Sequence, residues 1–519
     1  MRQNGAKYPR IVWLLLFLIP PATLFPYLAL HYSAPPGTEF TGFFFASDDP
    51  ESYLTDMRLA EYGWKWNFMF TTEETTGGYI FLYYIILGRL ALLLNLPLIV
   101  MYHLARIVSG TALILAAWLC LRTLPLTDRD RQWGLVLFCL AMQFPPFYDK
   151  YWGLLLISHP EIYPAANILL FPHTAFSQAM FLLAVYFFRE WVCEKKTARV
   201  LKGNVVLLGL TIVHPYMLLP YFLIILITFC FHYRRFPLTE AAKISAFFVL
   251  SIPYLVYLSF LMTRPDMRQW QIQSPTVLTS PWEIVTHDGI LLALGVAGLF
   301  LLLRREGWKS EHLWLYTVPF LLALLPFPFQ ERLLEGAGPG LCFAGGAAIS
   351  SVISRCKSKL AGPFTTGLLL IPLISVLFAP VINPAPRAFM SEEEVSVHRW
   401  IDARLDQYNV ILSDIPYSLR IPARAGCRVW CGHHDQTLRA KEKAAVLRKF
   451  FSSKTFDRDA FLRNNRIDYV LWDTARYPLY LTSSLVPVKL SGKLVLLRNR
   501  NAGDFTDSRF INPRQGRRG

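Results

Sequence analysis

Apolar runs of roughly 17–25 residues recur along the chain between residues 11 and 382, and this is the length a helix needs to cross a hydrocarbon core. Within a bilayer, backbone N–H and C=O groups must be paired internally, so continuous apolar runs select helices. The sequence therefore predicts a polytopic α-helical membrane protein. Of 519 residues, 54% are hydrophobic and only 17% are charged, too little charge for a soluble chain of this length. The formal charge of +16 is carried largely by short Lys/Arg clusters beside the apolar runs. Such clusters mark the cytoplasmic side and contact lipid headgroups, so nucleic acid is not among the expected partners.

Taken in order, residues 11–31 are expected to cross outward, with Arg2, Lys7 and Arg10 inside. Three prolines and the lack of a small-x-small site argue against a cleaved signal peptide. Residues 32–78 form a first external loop. The runs 79–95, 97–121, 133–147 and 153–171 follow, and about 11–13 spans result in all, depending on whether the first and last of these cross fully. Residues 144–172 hold too many prolines for a plain helix. Broken helices at membrane depth need cover from protein or a watery cavity, so this stretch implies a cavity. Residues 203–231 read as two short helices around His214-Pro215. Further spans are expected at 173–189, 241–262, 284–303, 313–329, 337–353 and 361–382, with the C-terminus outside.

Residues 383–500 change character. Apolar strands at 409–414, 427–432 and 467–473 alternate with helices near 417–425, 438–451 and 456 onward, and a hairpin closes the segment. This alternation predicts a small extracytoplasmic α/β domain after the membrane domain of residues 1–382. Residues 501–519 read as a disordered tail. Six of the eight Cys lie in or beside apolar runs, as small buried hydrophobes. Cys427, Cys431 and His433 would share a strand face, with His434 adjacent, but no second ligand pair accompanies them and no metal site is assigned.

The first loop carries the densest chemistry. Asp48 and Asp49 precede Tyr53, and residues 53–62 read as a short amphipathic helix with Arg58, suited to the interface. A loop carboxylate can accept a proton from an attacking hydroxyl or bind a divalent cation; the plain alternative is a solvated polar loop. Glu73 and Glu74 close the same loop. Elsewhere, His159, Glu161 and His173, with Asp149 and Lys150 upstream, flank the broken region. His214 precedes a proline. Arg332, with Glu331 and Glu335 beside it, stands at the expected outer mouth of a span. Ionisable groups near membrane depth are functional candidates. Arg332 suits a lipid phosphate, or a salt bridge to Glu335 three residues on.

The order of a first span, an acidic external loop with a short helix, broken spans and an external C-terminal domain resembles the GT-C superfamily of membrane glycosyltransferases. That group includes protein O-mannosyltransferases, the aminoarabinose transferase and oligosaccharyltransferases. Asp49, followed by Tyr53 and Met57-Arg58, resembles the superfamily's first-loop pattern. The resemblance implies a GT-C-like fold and sugar transfer from a polyprenyl-phosphate-type donor to a lipid, glycan or protein acceptor outside the cytoplasm. It also implies residence in a bacterial inner or plasma membrane. Asp49, with Asp48 second, would be catalytic. Tyr53, Arg58, Glu74, His159, Glu161, His214, Arg332 and Glu335 would bind substrate. The cofactor stays open, a divalent cation such as Mg or Mn being one option. The sequence TGGYIFLYY stands where related transferases have a Lys-Pro-Pro-Leu element, so the donor sugar is open too. The rival expectations are a flippase for lipid-linked saccharides and a non-catalytic subunit of an envelope polysaccharide assembly.

Overall fold

A computed structural model describes residues 9–45, 48–143, 147–149, 154–156, 159–194, 196–232, 242, 244–277, 281–307, 313–356 and 358–502. Lys150, the side chain of Asp149 and the tail beyond residue 502 lie outside the described residues. The chain forms two compact units. One comprises Met1–Pro35, Phe40–Ser47 and Tyr79–Phe389; the other comprises Pro36–Glu39, Asp48–Gly78 and Met390–Gly519.

The first unit is helical and membrane-embedded. Among the described residues, five helices are long and apolar enough to cross a bilayer: Arg10–Tyr32, Leu98–Thr123, Ile284–Glu306, Gln330–Arg355 and Ala361–Ile382. Shorter apolar helices lie at Leu82–Leu94, Pro215–Cys230, Ile252–Leu261 and Trp314–Ala323. The Gln330–Arg355 helix is the buried axis of this unit, and packs on Asp128–Leu140 and Pro281–Glu306. Its sequence GAGPG…AGGAA explains how. Lipid gives no hydrophobic drive between helices, so small residues that let backbones approach carry the packing. A Cβ at Gly338 would collide with the Ile162 carbonyl, and one at Gly346 with the Gly134 backbone.

The proline-rich stretch breaks as expected. Strands Phe147–Asp149 and Leu154–Leu156 pair antiparallel, a 3-10 turn follows at Pro160–Ile162, and a short helix at Pro164–Leu170 precedes the Pro172–Glu194 helix. The last carbonyls of a helix lack intrahelical partners. Here the fully buried Arg106 donates to the carbonyls of Ile168 and Leu169 at 3.2 and 3.1 Å. Tyr27 and Tyr102 donate to those of Leu169 and Leu170, both at 2.8 Å. Around His214 the chain runs from helix Thr197–Val213 through a 3-10 turn into helix Leu218–His232.

The second unit is built on a five-stranded mixed sheet in the order Arg428–Val429, Val410–Ser413, Tyr469–Asp473, Leu494–Asn499, Leu485–Ser491. The first three strands are parallel and the last two antiparallel. Side chains alternate between faces along a strand. Val410, Leu412, Val470 and Trp472 enter one core with Phe450 of helix Ala440–Ser452; Ile411 and Leu471 enter another with Ile401 of helix Glu392–Arg404. Covering both faces accounts for the unbroken apolar runs VIL and YVLW. Cys427 and Cys431 fall into these two different cores. The shared strand face expected for them is therefore corrected, and both thiols are buried packing groups.

The first loop belongs to this unit. Phe70 is a core residue, Val429 N–H donates to the Met69 carbonyl at 2.9 Å, and Thr71 bridges to Cys431. Its helix begins earlier than expected and spans Asp48–Leu59. Asp48, Asp49 and Glu51 occupy the first turn, where negative charge meets the positive end of the helix dipole. Pro50 is tolerated there because first-turn N–H groups have no intrahelical partner. The expected interfacial amphipathic helix is corrected as well: Glu51 and Asp56 are as buried as Leu54 and Met57. Each buried acid has a partner, Arg424 for Glu51 at 2.8 Å and the Trp66 indole N–H for Asp56 at 2.7 Å.

Candidate functional site

In the α/β unit, the helix N-terminus fixes Asp48 and Asp49. Asp49 Oδ1 lies 3.3 Å from Nε2 of His433, whose side chain is buried while that of Asp49 is 42% exposed. An exposed carboxylate held by a covered imidazole can accept a proton from a bound hydroxyl. Burial pushes the His433 pKa down, but the hydrogen bond and charge of Asp49, with Asp435 and Asp48, outweigh it and raise it above the ordinary value. Asp56 feels the same imidazole. Burial pushes its carboxyl up to about 8, against the opposing Trp66 hydrogen bond and His433 charge.

The other loop residues divide. Tyr53 is half-buried on the same helix. Arg58 donates to the carbonyls of Ala423 and Arg424 at 3.4 and 3.2 Å and pairs with Asp402. It thereby caps helix Ile421–Ala425, and Gly426, at φ +71°, leaves the space its guanidinium fills. These contacts give Arg58 a structural task. Glu74 is exposed. Its neighbour Glu73 takes the ion pairs, with Lys443 at 2.7 Å and Arg439 at 3.0 Å. Burial alone would raise the Glu73 pKa, but these partners and Thr71 hold it down at about 2.

His433, His434 and Asp435 offer ligand atoms within 4.8 Å of one another, but both ring nitrogens of His433 are engaged, Nδ1 by the Asp435 N–H at 3.2 Å and Nε2 by Asp49, so no cation is assigned to the set.

In the membrane unit, the 3-10 turn and the Gln330–Arg355 helix bring a second group together. Close approach at Gly338 sets Glu161 beside Arg332, whose Nη1 lies 3.2 Å from Glu161 Oε1. One turn on, the buried Glu335 carboxylate accepts from Ser177 at 2.6 Å and Tyr216 at 3.0 Å, and lies 2.8 Å from His214 Nδ1. Gln178 ties the group together by donating to the carbonyls of Glu161 and Glu335 at 3.0 and 2.9 Å. The His173 and His214 rings meet edge to face, 5.1 Å between centroids. His159 Nδ1 contacts the buried Asp288 at 2.7 Å. A buried carboxylate with several hydrogen-bond partners is a stable arrangement at membrane depth, where an unpaired one would be costly. Of the residues expected from sequence, His159, Glu161, His214, Arg332 and Glu335 thus fall in the membrane unit, and Asp48, Asp49, Tyr53, Arg58 and Glu74 in the α/β unit. Sequence reasoning missed Asp288, Ser177, Gln178 and Tyr216. Asp288 had a signal, as a lone carboxylate at the head of an apolar run.

No protein-family model and no curated protein compared matches the sequence. Solved structures do. The oligosaccharyltransferase of Archaeoglobus fulgidus, tethered with an acceptor peptide, superposes with TM-score 0.53 at 12% identity, covering 89% of this chain and 69% of that one. ArnT from Cupriavidus metallidurans, bound to undecaprenyl phosphate, gives 0.54 at 11% identity, covering 93% and 97%. A mutant of the arabinofuranosyltransferase AftD from Mycobacteria gives 0.59 at 13% identity, covering 95% of this chain and 42% of that much longer one. The likeness runs over 89–95% of this chain, so it takes in both the helical membrane unit and the mixed α/β unit. The chain has the fold of the GT-C superfamily of membrane glycosyltransferases.

Proposed function

We propose that this protein is a membrane glycosyltransferase that moves a sugar from a polyprenyl-phosphate-type donor to an acceptor hydroxyl or amide on the extracytoplasmic side. The acceptor oxygen or nitrogen attacks the anomeric carbon, the bond from that carbon to the phosphate oxygen breaks, and polyprenyl phosphate leaves. Asp49 takes the acceptor's proton. Arg332, still partly exposed beside Glu161, pairs with the donor phosphate, and stabilising that developing charge is the larger catalytic term. The α/β unit, first loop included, is assigned to the extracytoplasmic face. The observation that carries the reading is Asp49 itself: an exposed carboxylate at a helix N-terminus, held by a buried histidine. The names of the similar structures, a glycosyltransferase among them and one bound to undecaprenyl phosphate, supply the donor class.

The test is sugar transfer by the purified chain with Asp49→Asn, Asp48→Asn and Arg332→Gln. Asp49→Asn is expected to lower kcat by roughly 10²–10⁴-fold, and Arg332→Gln to raise the donor KM. Full activity in both aspartate variants would sink the assignment.

One observation favours a second reading. Arg106, Asp288 and Glu335 are ionisable groups buried in the membrane unit, as a flippase for lipid-linked saccharides would hold them. That reading predicts movement of the lipid-linked sugar across the bilayer with its phosphate bond intact.

A further inference from the structure

His433 comes from the turn after strand Arg428–Val429 and is separated from Asp49 by most of the chain. Its ring is almost fully covered, packed near Phe70 at 5.8 Å and stacked on His434 at 4.8 Å between centroids. Both ring nitrogens are engaged. The backbone N–H of Asp435 donates to Nδ1 at 3.2 Å, and Nε2 faces Asp49 Oδ1.

This pattern decides where the proton sits. A neutral imidazole has one N–H and one lone pair. With an amide N–H directed at Nδ1, the lone pair is there and Nε2 carries the hydrogen. The bond therefore runs from Nε2–H to the Asp49 carboxylate. A cation bound at Nε2 would need that nitrogen bare and would set a protonated Nδ1 against the Asp435 amide, so the turn is built for donation to Asp49 and not for ligation by this ring.

We propose that His433 is a positioning residue for Asp49: held by the Asp435 amide, it donates Nε2–H to the carboxylate and fixes its direction for proton abstraction. The inference rests on the catalytic reading of Asp49 and adds to it a residue from the C-terminal region. It also explains why the first loop is folded into the α/β unit. The core position of Phe70, the Thr437 hydroxyl donating to the Phe70 carbonyl at 2.9 Å and to which Gly432 N–H donates at 3.0 Å, and the Lys443 bond to Thr71 at 2.9 Å all hold the turn and the loop in register. A hydrogen-bonded base works only if its supporting group is itself locked.

The experiment uses the full chain in lipid nanodiscs. Nitrogen NMR with labelled histidine, the His433 signal identified by its absence in His433→Gln, is expected to show Nε2 protonated; a bare Nε2 would overturn the proposal. Kinetics use a panel of undecaprenyl-phosphate monosaccharides with an acceptor extract, read by release of undecaprenyl phosphate as sugar appears on the acceptor. His433→Phe keeps the ring's bulk and is expected to lower kcat by roughly 10- to 100-fold, the effect of losing one hydrogen bond to a charged group, with donor KM changed by less than about twofold. His433→Gln restores an N–H donor at the same reach and is expected to recover most of that loss. Adding His433→Phe to Asp49→Asn should cost nothing further, because residues that act as a unit are not additive. Equal loss in the Phe and Gln variants would overturn the hydrogen-bonding role. So would full activity of a folded His433→Phe protein while Asp49→Asn is inactive. Full activity of Asp49→Asn would instead remove the catalytic reading and this inference with it.

Discussion

At the scale of single residues, what sets the chemistry is how each carboxylate is held. Asp49 is exposed and bonded to an imidazole, whereas Asp56, on the same helix, is buried with Trp66. Its carboxyl, pushed up to about 8 from 3.8, binds a proton in the folded state that the unfolded chain has already released above pH 4. Stability therefore falls as pH rises from about 4 through about 8 and levels off beyond, since the native state holds more protons in that window. Asp56→Asn mimics the protonated group, so its melting temperature is expected to match the wild type below about pH 4, to exceed it increasingly toward pH 8, and to lose that component of the pH dependence. An unchanged pH profile would contradict the assignment. The same logic explains what was legible. Asp48, Asp49 and Arg332 stand out because charge is rare beside apolar runs. His433 and Arg424 do not, because their meaning lies in partners hundreds of residues away, Asp49 and Glu51.

At the scale of elements, glycines decide how the membrane helices meet. The 3-10 turn at Pro160–Ile162 packs on the Gln330–Arg355 helix, and Gly338 leaves no room for a Cβ against the Ile162 carbonyl. Gly338→Ala should cost roughly 1–3 kcal/mol, as overpacking does, read as a lower melting temperature in detergent or nanodisc. Because Arg332 and Glu335 lie on the same helix face, the variant should also weaken donor binding; wild-type stability would show that the helices have slack. The Glu51–Arg424 pair makes the complementary case in the α/β unit. Both side chains are largely buried, 3% and 14% exposed, so Arg424→Ala is expected to cost about 3–5 kcal/mol by stranding Glu51. Glu51→Gln with Arg424→Gln should cost clearly less than the two single changes added together. Here the sequence was a fair guide. The helix–strand alternation after residue 383 and the break at His214-Pro215 follow from periodicity and proline. The start of the first-loop helix did not, because its apolar pattern begins at Leu54 while its N-terminus is set by the acids at Asp48 and Asp49.

At the scale of the whole molecule, the length of the apolar runs is enough to assign the membrane unit its class, since spanning a bilayer leaves a chain few options. Which unit the first loop joins was not legible. Phe70 and Thr71 read locally as part of a polar loop, and only the sheet they meet makes them core. The loop and the C-terminal domain are therefore expected to exchange amide hydrogens as one cooperative body. Lys443→Met, which removes the bonds to Thr71, Glu73 and the Trp430 carbonyl, should raise exchange in both 66–78 and 428–437. A rise confined to the mutated helix would contradict that coupling. Above all, the account depends on the chain breaking a sugar–phosphate bond. The direct measurement places the purified protein in sealed vesicles with an undecaprenyl-phosphate monosaccharide and an acceptor extract, and follows both the sugar and the lipid. A glycosyltransferase accumulates undecaprenyl phosphate as sugar appears on the acceptor, and Asp49→Asn slows both by roughly 10²–10⁴-fold. Intact lipid-linked sugar crossing the bilayer, with no free undecaprenyl phosphate, would contradict it.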